Sequence, residues 1–356
     1  MIASVIITCR NEEKNIAACV EAIFASQLPP DFKIEVFIID GESDDGTMTV
    51  ISELQKKYSS LQCISNPQRI TPVAFNLGIK ASNGEFIQIV GARQIIEKDY
   101  LKKGIERLQK QPDIWCVGGK VENVFENELG RVIARAMDTP FGVGGGNFRI
   151  LKESAFVDTV GTPLFKKSVF DKIGMFDEEL VRNQDDELSY RILKAGGKIF
   201  LDVEMKVKYF VRGNFRNLFR QYYQYGFWKV YVNRKHKTIT TLRQLAPAAL
   251  MLFVLVMLPI AAFSFFEVFS QIVKTNKISN FNYIWPILVY CSITIPYVAI
   301  ATIIAFRKAE KISLVNDYFR TFLILHCSYG LGYLAGIFRF LILGKKSGGK
   351  NTSLSR

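Results

Sequence analysis

Short, nearly continuous apolar runs alternate with stretches of helical spacing over the first 110 residues. Ala3 to Thr8 predicts a buried strand, and Asn11, Glu12 and Glu13 open a helix whose apolar positions are Ile16, Val20, Ile23 and Phe24. Ile34 to Asp40 predicts a second strand, Thr47 to Lys57 a helix, Leu61 to Ser65 a third strand and Pro72 to Ala81 a helix. Phe86 to Val90 gives a fourth strand and Lys98 to Lys110 a further helix. The order βαβαβαβ predicts an α/β fold with a parallel, doubly wound sheet. Its ligand edge would gather Thr8 to Glu12, Asp40 to Asp45 and the segment after Val90. Trp115 to Gly119 reads as one more strand. The glycine-dense run Gly142 to Asn147 reads as a connection, because no helix start follows at once.

Two acidic clusters punctuate this pattern. The strand ending in Asp40 leads into a turn with Gly41, Asp44, Asp45 and Gly46, where closely spaced carboxylates need a solvated turn or hydrogen-bonding partners to offset their repulsion. The second cluster, Asn183-Gln184-Asp185-Asp186-Glu187, precedes Tyr190, Ile192 and Leu193 and so sits at a helix amino terminus, where the dipole favours anions. Either cluster alone also reads as surface turn or helix cap. Together they supply carboxylates of the kind sugar chemistry uses as bases. The chain has no GxGxxG after the first strand and no GxxxxGK[ST], so the usual dinucleotide and P-loop readings lose support.

The carboxy-terminal third changes the character of the chain. Leu245 to Phe266 and Tyr283 to Phe306 are uncharged and long enough to cross a bilayer, with Pro247, Pro259, Pro286 and Pro296 in or near them. Thr321 to Phe338 is a weaker candidate, interrupted by His326 and carrying the helix-contact spacing Gly332, Gly336. A net charge of +13 would suit nucleic acid. Its basic residues, however, flank the apolar stretches: Arg234, Lys235, His236, Lys237 and Arg243, then Arg307, Lys308 and Lys311, then Lys345, Lys346, Lys350 and Arg356. Membrane lipid, and no nucleic acid, is therefore the expected partner. Three full crossings would put the last basic group outside, so a re-entrant or interfacial third segment stands beside a third span. Arg212 to Lys237 interleaves Tyr, Phe and Trp with Arg and Lys, as an interfacial amphipathic helix does. The chain enters its first strand without a leader pattern, and its six cysteines form no CxxC pair; both point to a cytoplasmic, reducing setting for the sheet domain.

Several motifs now stand in order: Ser4 to Glu13, the Asp40 to Thr47 turn, Asn76-Leu77-Gly78 with Ala81, Gly84-Glu85-Phe86, and Asn183 to Glu187 with Gly196-Gly197. The chain resembles a family 2 glycosyltransferase of GT-A fold, a Rossmann-like domain with a mostly parallel sheet. Within that family it is similar to the succinoglycan-pathway ExoA-like branch, through Phe141 to Gly145, Asn183 to Lys198, Gln221 to Lys229 and the membrane segments. The expected organisation is a GT-A domain over 1–211, an interfacial segment over 212–240, a membrane region with two or three helices over 241–344, and a basic tail over 345–356.

The resemblance implies inverting transfer of a sugar from a nucleotide-diphosphate donor to an acceptor, expected to be a lipid-linked saccharide in cell-surface polysaccharide synthesis. It places the protein in the inner (plasma) membrane with its catalytic domain in the cytoplasm. It implies that Thr8, Arg10, Glu12 and Asp40 line the nucleotide pocket, and that Asp185 is the general base with Asp186 or Glu187 beside it. Gln224 and Trp228 match the Gln and Trp of an acceptor-side QxxRW motif, with Phe227 in place of its Arg. The family places a DxD motif for Mg2+ or Mn2+ after the fourth strand; here the aligned residues are Gly91-Ala92-Arg93. Three outcomes stay open: Arg93 stands in for the ion, a metal takes ligands elsewhere with Asp44 and Asp45 as candidates, or the scaffold only binds sugar nucleotide or lipid. A synthase that also exports its product would need more membrane helices. Donor sugar, acceptor and linkage are not legible.

Overall fold

A computed structural model describes residues 1–346 other than 126, 145–149, 212, 241, 276, 278 and 279. The expected tail from 347 onward, with Lys350 and Arg356, and the glycines and Asn147 of the loop from Gly145 lie outside the described residues. The chain divides into a sheet unit, Met1–Asn127 with Gly145–Arg212, and a helical unit, Glu128–Gly144 with Gly213–Lys346.

In chain order the sheet unit runs β1 (Ile2–Cys9), α1 (Ile16–Phe24), β2 (Lys33–Asp40), α2 (Thr47–Lys57), β3 (Leu61–Ser65), α3 (Thr71–Ala81), β4 (Phe86–Gly91), β5 (Gln94–Ile96), α4 (Tyr100–Lys110) and β6 (Ile114–Phe125). Two helices of the other unit intervene, α5 (Glu128–Met137) and α6 (Pro140–Val143). The sheet unit resumes with β7 (Ala155–Phe156), β8 (Leu164–Lys166), α7 (Ser168–Ile173), α8 (Gln184–Lys194) and β9 (Lys198–Val211). The helical unit then adds α9 (Phe215–His236), α10 (Leu245–Thr275), α11 (Ile284–Lys308) and α12 (Val315–Gly336).

The sheet order is β3-β2-β1-β4-β8-β6-β9-β5, with β7 on β9. β1, β2, β3 and β4 are parallel, and β8 is antiparallel to both β4 and β6. Two reversals bring β6, and β9 parallel to it, back to the direction of β4. The central strands are apolar without interruption because both their faces are covered. Val5, Ile7 and Val36 pack with α1, α2 and α4 on one side; Ile6, Phe37 and Ile39 pack with α3, α7 and α8 on the other. Each such side chain contributes about 1.5–3 kcal/mol by leaving water. The mostly parallel α/β sheet expected from the sequence is thus present.

The expected strand Trp115 to Gly119 is longer than its apolar run. The register shifts between Gly119 and Lys120, where Val203 to Met205 bulge from β9, and β6 continues to Phe125, paired with the second half of β9. A side chain at Gly119 would put its Cβ 2.1 Å from the Met205 carbonyl oxygen, so only glycine fits the bulge.

Among the described residues of the helical unit, three stretches are long and apolar enough to cross a membrane: Leu242–Thr275, Phe281–Lys308 and Ile312–Ile342. α10 and α11 leave Leu255, Phe263, Phe266, Trp285 and Ile295 exposed, an apolar surface suited to lipid. α12 differs because protein covers more of it. Its Tyr318 and Phe322 pack with Val132 and Ala136 of α5, and its Leu325 with Ile133 and Leu218. That environment explains its lower hydropathy, 1.4 against 2.6 and 2.2 for the other two. The spacing Gly332, Gly336 does form a helix contact: a Cβ at Gly332 would lie 2.0 Å from the Tyr223 carbonyl oxygen, and one at Gly226 2.1 Å from that of Tyr329. α9, the core of the 212–240 segment, therefore runs against α12 with Gln224, Phe227, Trp228 and Lys229 buried.

Candidate active site

The parallel strands deliver three backbone ends side by side. Cys9 pairs with Asp40 and Thr8 with Gly91, so the loops after β1, β2 and β4 leave the sheet at one edge. Open α/β sheets bind ligands there.

Asp40 closes β2 and is only 5% exposed. Its Oδ2 accepts the Ser43 N–H at 2.9 Å and its Oδ1 the Ser43 hydroxyl at 2.6 Å, with the Cys9 thiol at 3.5 Å. A carboxylate accepts about four hydrogen bonds, so these leave capacity for a ligand donor. The two acids that follow are satisfied by the loop. Asn11 donates to Asp44 Oδ1 at 2.6 Å and accepts the Asp44 N–H at 3.0 Å, which ties the β1 loop to the β2 loop. Asp45 Oδ1 accepts the Thr47 N–H at 3.0 Å, and its Oδ2 accepts the Glu13 N–H at 3.4 Å. Desolvation pushes the Asp45 carboxyl up, but the Thr47 hydroxyl and these N–H groups outweigh it and hold it below the ordinary value. The repulsion among Asp40, Asp44 and Asp45 is therefore answered by hydrogen bonds from Ser43, Asn11 and Thr47.

Arg10 lays its stem along Gly41, and Thr8 is half-buried at the end of β1. Glu12 is almost fully buried, its side chain 3% exposed, and its Oε1 accepts from Arg93 Nε at 2.9 Å while its Oε2 accepts from Asn15 at 2.8 Å. Arg93, 17% exposed, has no further hydrogen bond on its two Nη groups among the described residues. Its turn is closed by Gln94, whose Oε1 accepts the Gly91 N–H at 2.6 Å and whose amide donates to the Thr162 hydroxyl at 2.8 Å.

α8 brings the second acidic cluster to the same edge. It turns through Gly196-Gly197 into β9, whose first residue Lys198 pairs with Ile114 at the start of β6. Leu188 and Ile192 pack on the sheet beside Ile199 and Leu201. The helix thus descends toward the amino edge, and its eleven residues, about 16 Å, put Asp185 at the opposite, carboxyl side. Asp185 is exposed at the start of α8; desolvation of its carboxyl raises its pKa above the ordinary aspartate value, and the Asp186 charge adds to the shift. Its Oδ1 accepts the Asp186 N–H at 2.9 Å. Glu187 is buried and bound to Arg191, which also donates to the carbonyls of Ile173, Gly174 and Met175. It pins α8 to the end of α7. Gln224 and Trp228 belong to the helical unit, one turn apart on α9 and both buried. The Trp228 indole N–H has no partner among the described residues.

Arg69 and Asn66 escaped the sequence reading. They follow β3 at the same edge, where Asn66 N–H donates to the Asp40 carbonyl at 2.7 Å and Arg69 Nε to Glu42 at 2.9 Å. Position after a predicted strand end was the available signal.

A divalent metal does not fit the donor set. The segment after β4 offers Gly91, a buried Ala92 and the cationic Arg93, where a hard cation wants oxygen ligands. Asp45 accepts three hydrogen bonds from the loops and Asp44 one, and the described residues contain no group of three or more His, Cys, Asp or Glu that could hold a metal.

Residues 4–174 match the family model described as glycosyl transferase family 2. A dolichyl N-acetyl-α-D-glucosaminyl phosphate 3-β-D-2,3-diacetamido-2,3-dideoxy-β-D-glucuronosyltransferase of Methanococcus voltae is 34% identical over 239 residues, 65% of this chain and 74% of that one. The succinoglycan biosynthesis protein ExoA of Rhizobium meliloti is 27% identical over 248 residues, 69% of this chain and 74% of that one. Among solved structures, a mannosyltransferase of Pyrobaculum calidifontis in complex with GDP-Man and Mn2+ aligns with a TM-score of 0.56 and 14% identity, over 94% of this chain and 87% of that one. That likeness speaks for the fold alone. Sheet and relatives together define a glycosyltransferase with a GT-A-fold domain and three apolar helices. The chain belongs to glycosyltransferase family 2.

Proposed function

We propose that the protein moves a sugar from a nucleotide-diphosphate donor to a lipid-linked saccharide, in the synthesis of a cell-surface polysaccharide. The observation that carries this reading is that the topology puts Asp40 and Asp185 on the carboxyl side of one sheet, in a chain whose other unit offers helices apolar and long enough to cross a membrane. Relatives named for a dolichyl phosphate sugar and for succinoglycan biosynthesis support the lipid-linked acceptor and the polysaccharide product.

In this reading Thr8, Arg10, Glu12 and Asp40 hold the nucleotide, with Asp40 accepting from the base, and Asp185 removes the acceptor hydroxyl proton. The freed oxygen attacks the anomeric carbon opposite the leaving group. A new C–O bond forms there as the bond from that carbon to the diphosphate oxygen breaks, its electron pair leaving with the nucleoside diphosphate. Attack from the far side inverts the anomeric configuration. A raised pKa brings Asp185 closer to the pH at which it works, which suits a general base. Asp186 flanks that base, Glu187 fixes its helix, and Gln224 and Trp228 serve the acceptor side. The basic flanks of the apolar helices support an inner-membrane protein with its sheet domain in the cytoplasm. The test is transfer by the full chain in lipid nanodiscs, with radiolabelled UDP- and GDP-sugars and a lipid extract as acceptor. Label entering the lipid phase with inverted configuration is expected; no transfer from any nucleotide sugar would refute the reading.

A further inference from the structure

We propose that the Glu12–Arg93 pair takes the place of a divalent metal: Arg93 binds the donor diphosphate directly, and transfer needs no ion. This assignment rests on the transferase reading above. Its ground is the donor set and the geometry of the pair. A divalent ion held by two carboxylates is a neutral assembly with its positive pole toward the phosphates. One glutamate holding one guanidinium is neutral as well, and here it stands where the loops after β1 and β4 leave the sheet.

The pair is also pre-set. Glu12 donates its backbone N–H to the Thr47 hydroxyl at 2.9 Å, and its carboxylate is held by Asn15 at 2.8 Å and by Arg93 at 2.9 Å. Only Nε of the guanidinium is engaged among the described residues, so both Nη groups stay available as a planar fork, the geometry that matches phosphate oxygens. When the anomeric C–O bond breaks, its electron pair settles on the diphosphate, which gains one negative charge. A fixed guanidinium in a partly buried site stabilises that charge without reorganising. A carboxylate pair for a metal could not share this place, since Arg93 would repel the incoming ion.

Calorimetric titration of the full chain in nanodiscs with UDP, GDP, UMP and GMP, each with EDTA and with Mn2+, tests the assignment. The accepted diphosphate is expected to bind in EDTA within about threefold of its affinity in Mn2+. Arg93→Ala should weaken that diphosphate by about tenfold or more while changing the monophosphate by less than about threefold, and Arg93→Lys should restore part of the loss. Loss of about tenfold or more in EDTA by the unmodified chain would overturn the proposal and leave the transferase reading intact. An Arg93→Ala chain that keeps full diphosphate affinity would overturn it in the same way. Failure of every nucleotide to bind with or without Mn2+ would instead refute the donor class itself. Should Arg93→Ala not fold, the EDTA comparison on the unmodified chain and the Arg93→Lys titration decide the matter.

Discussion

Glu12 and Arg93 are 81 positions apart in the chain, and their side chains meet at 2.9 Å where the loops after β1 and β4 leave the sheet. Breaking a buried pair leaves one charge uncompensated, at a cost of about 3–5 kcal/mol. Arg93→Ala, which strands the more buried Glu12, should sit in that range, discounted because Arg93 is partly open to solvent. The double variant Glu12→Leu, Arg93→Met should recover most of the stability and none of the diphosphate affinity. Thermal unfolding of the two variants side by side checks this. Equal destabilisation of the single and double variants would contradict the pairing.

Asp185 is expected to separate chemistry from binding. Asp185→Asn should lower turnover by about 100- to 10,000-fold with donor affinity little changed. Steady-state kinetics with nucleotide titration reads both quantities. Because the active base is the carboxylate, turnover should rise with pH through a pKa above the ordinary aspartate value, and Asp185→Asn should remove that acid limb.

The same shift has a sign for stability. A folded-state pKa raised above the unfolded value favours the folded chain while the group is protonated, and that advantage is lost as pH rises through the folded pKa. Ionised Asp185 therefore weakens the fold at neutral pH. Asp185→Asn should raise the melting temperature there, and the difference should vanish below about pH 4, the unfolded aspartate range. A variant that melts lower than the parent at neutral pH would count against the crowded, carboxylate-repelled setting.

The expectations that held were those written in local apolar pattern. β1 to β4 and the helices α2 to α4 appear within a residue or two of the expected bounds, because strands covered on both faces must be apolar throughout; α1 starts only at Ile16, after the expected opening at Asn11 to Glu13. The second half of β6 was hidden by Lys120, Glu122 and Asn123, which alternate with apolar residues, and β5 and β8 are too short to leave a pattern. Asp40 and Asp185 were legible as acids at element ends. Their shared edge depended on the reversal through β8, and the Glu12–Arg93 contact on β1 and β4 being neighbours; neither is encoded locally. Arg69 lay after a strand end whose loop carried no acidic cluster to draw notice.

Close packing of α9 on α12 rests on glycine. Gly226→Leu would drive a side chain into the Tyr329 carbonyl, and Gly332→Leu into that of Tyr223. Each should destabilise the helical unit by about 1–3 kcal/mol. Thermal unfolding in detergent checks it, and a Gly332→Leu chain that melts with the parent would contradict the contact.

His326 joins three elements of the helical unit. Its Nε2 lies 2.7 Å from the Phe141 carbonyl oxygen, which can only accept, so Nε2 carries the proton and Nδ1 accepts from the Tyr297 hydroxyl at 2.7 Å. Hydrogen bonds between helices in apolar surroundings contribute about 0.6–1.7 kcal/mol. His326→Phe should therefore loosen α6, with faster amide exchange at Gly142, Val143 and Gly144, while Tyr297→Phe should have a smaller effect. Unchanged exchange in His326→Phe would show that packing alone holds α6.

The most direct measurement is sugar transfer by the purified full chain in nanodiscs, with EDTA present, a panel of labelled UDP- and GDP-sugars and a lipid extract as acceptor, run beside Asp185→Asn. The expected result is label in the lipid fraction from one donor with the unmodified chain and at least about a hundredfold less with Asp185→Asn. Equal transfer by the two chains, or none from any donor with EDTA or Mn2+, would contradict a sugar transferase that uses Asp185 as its base.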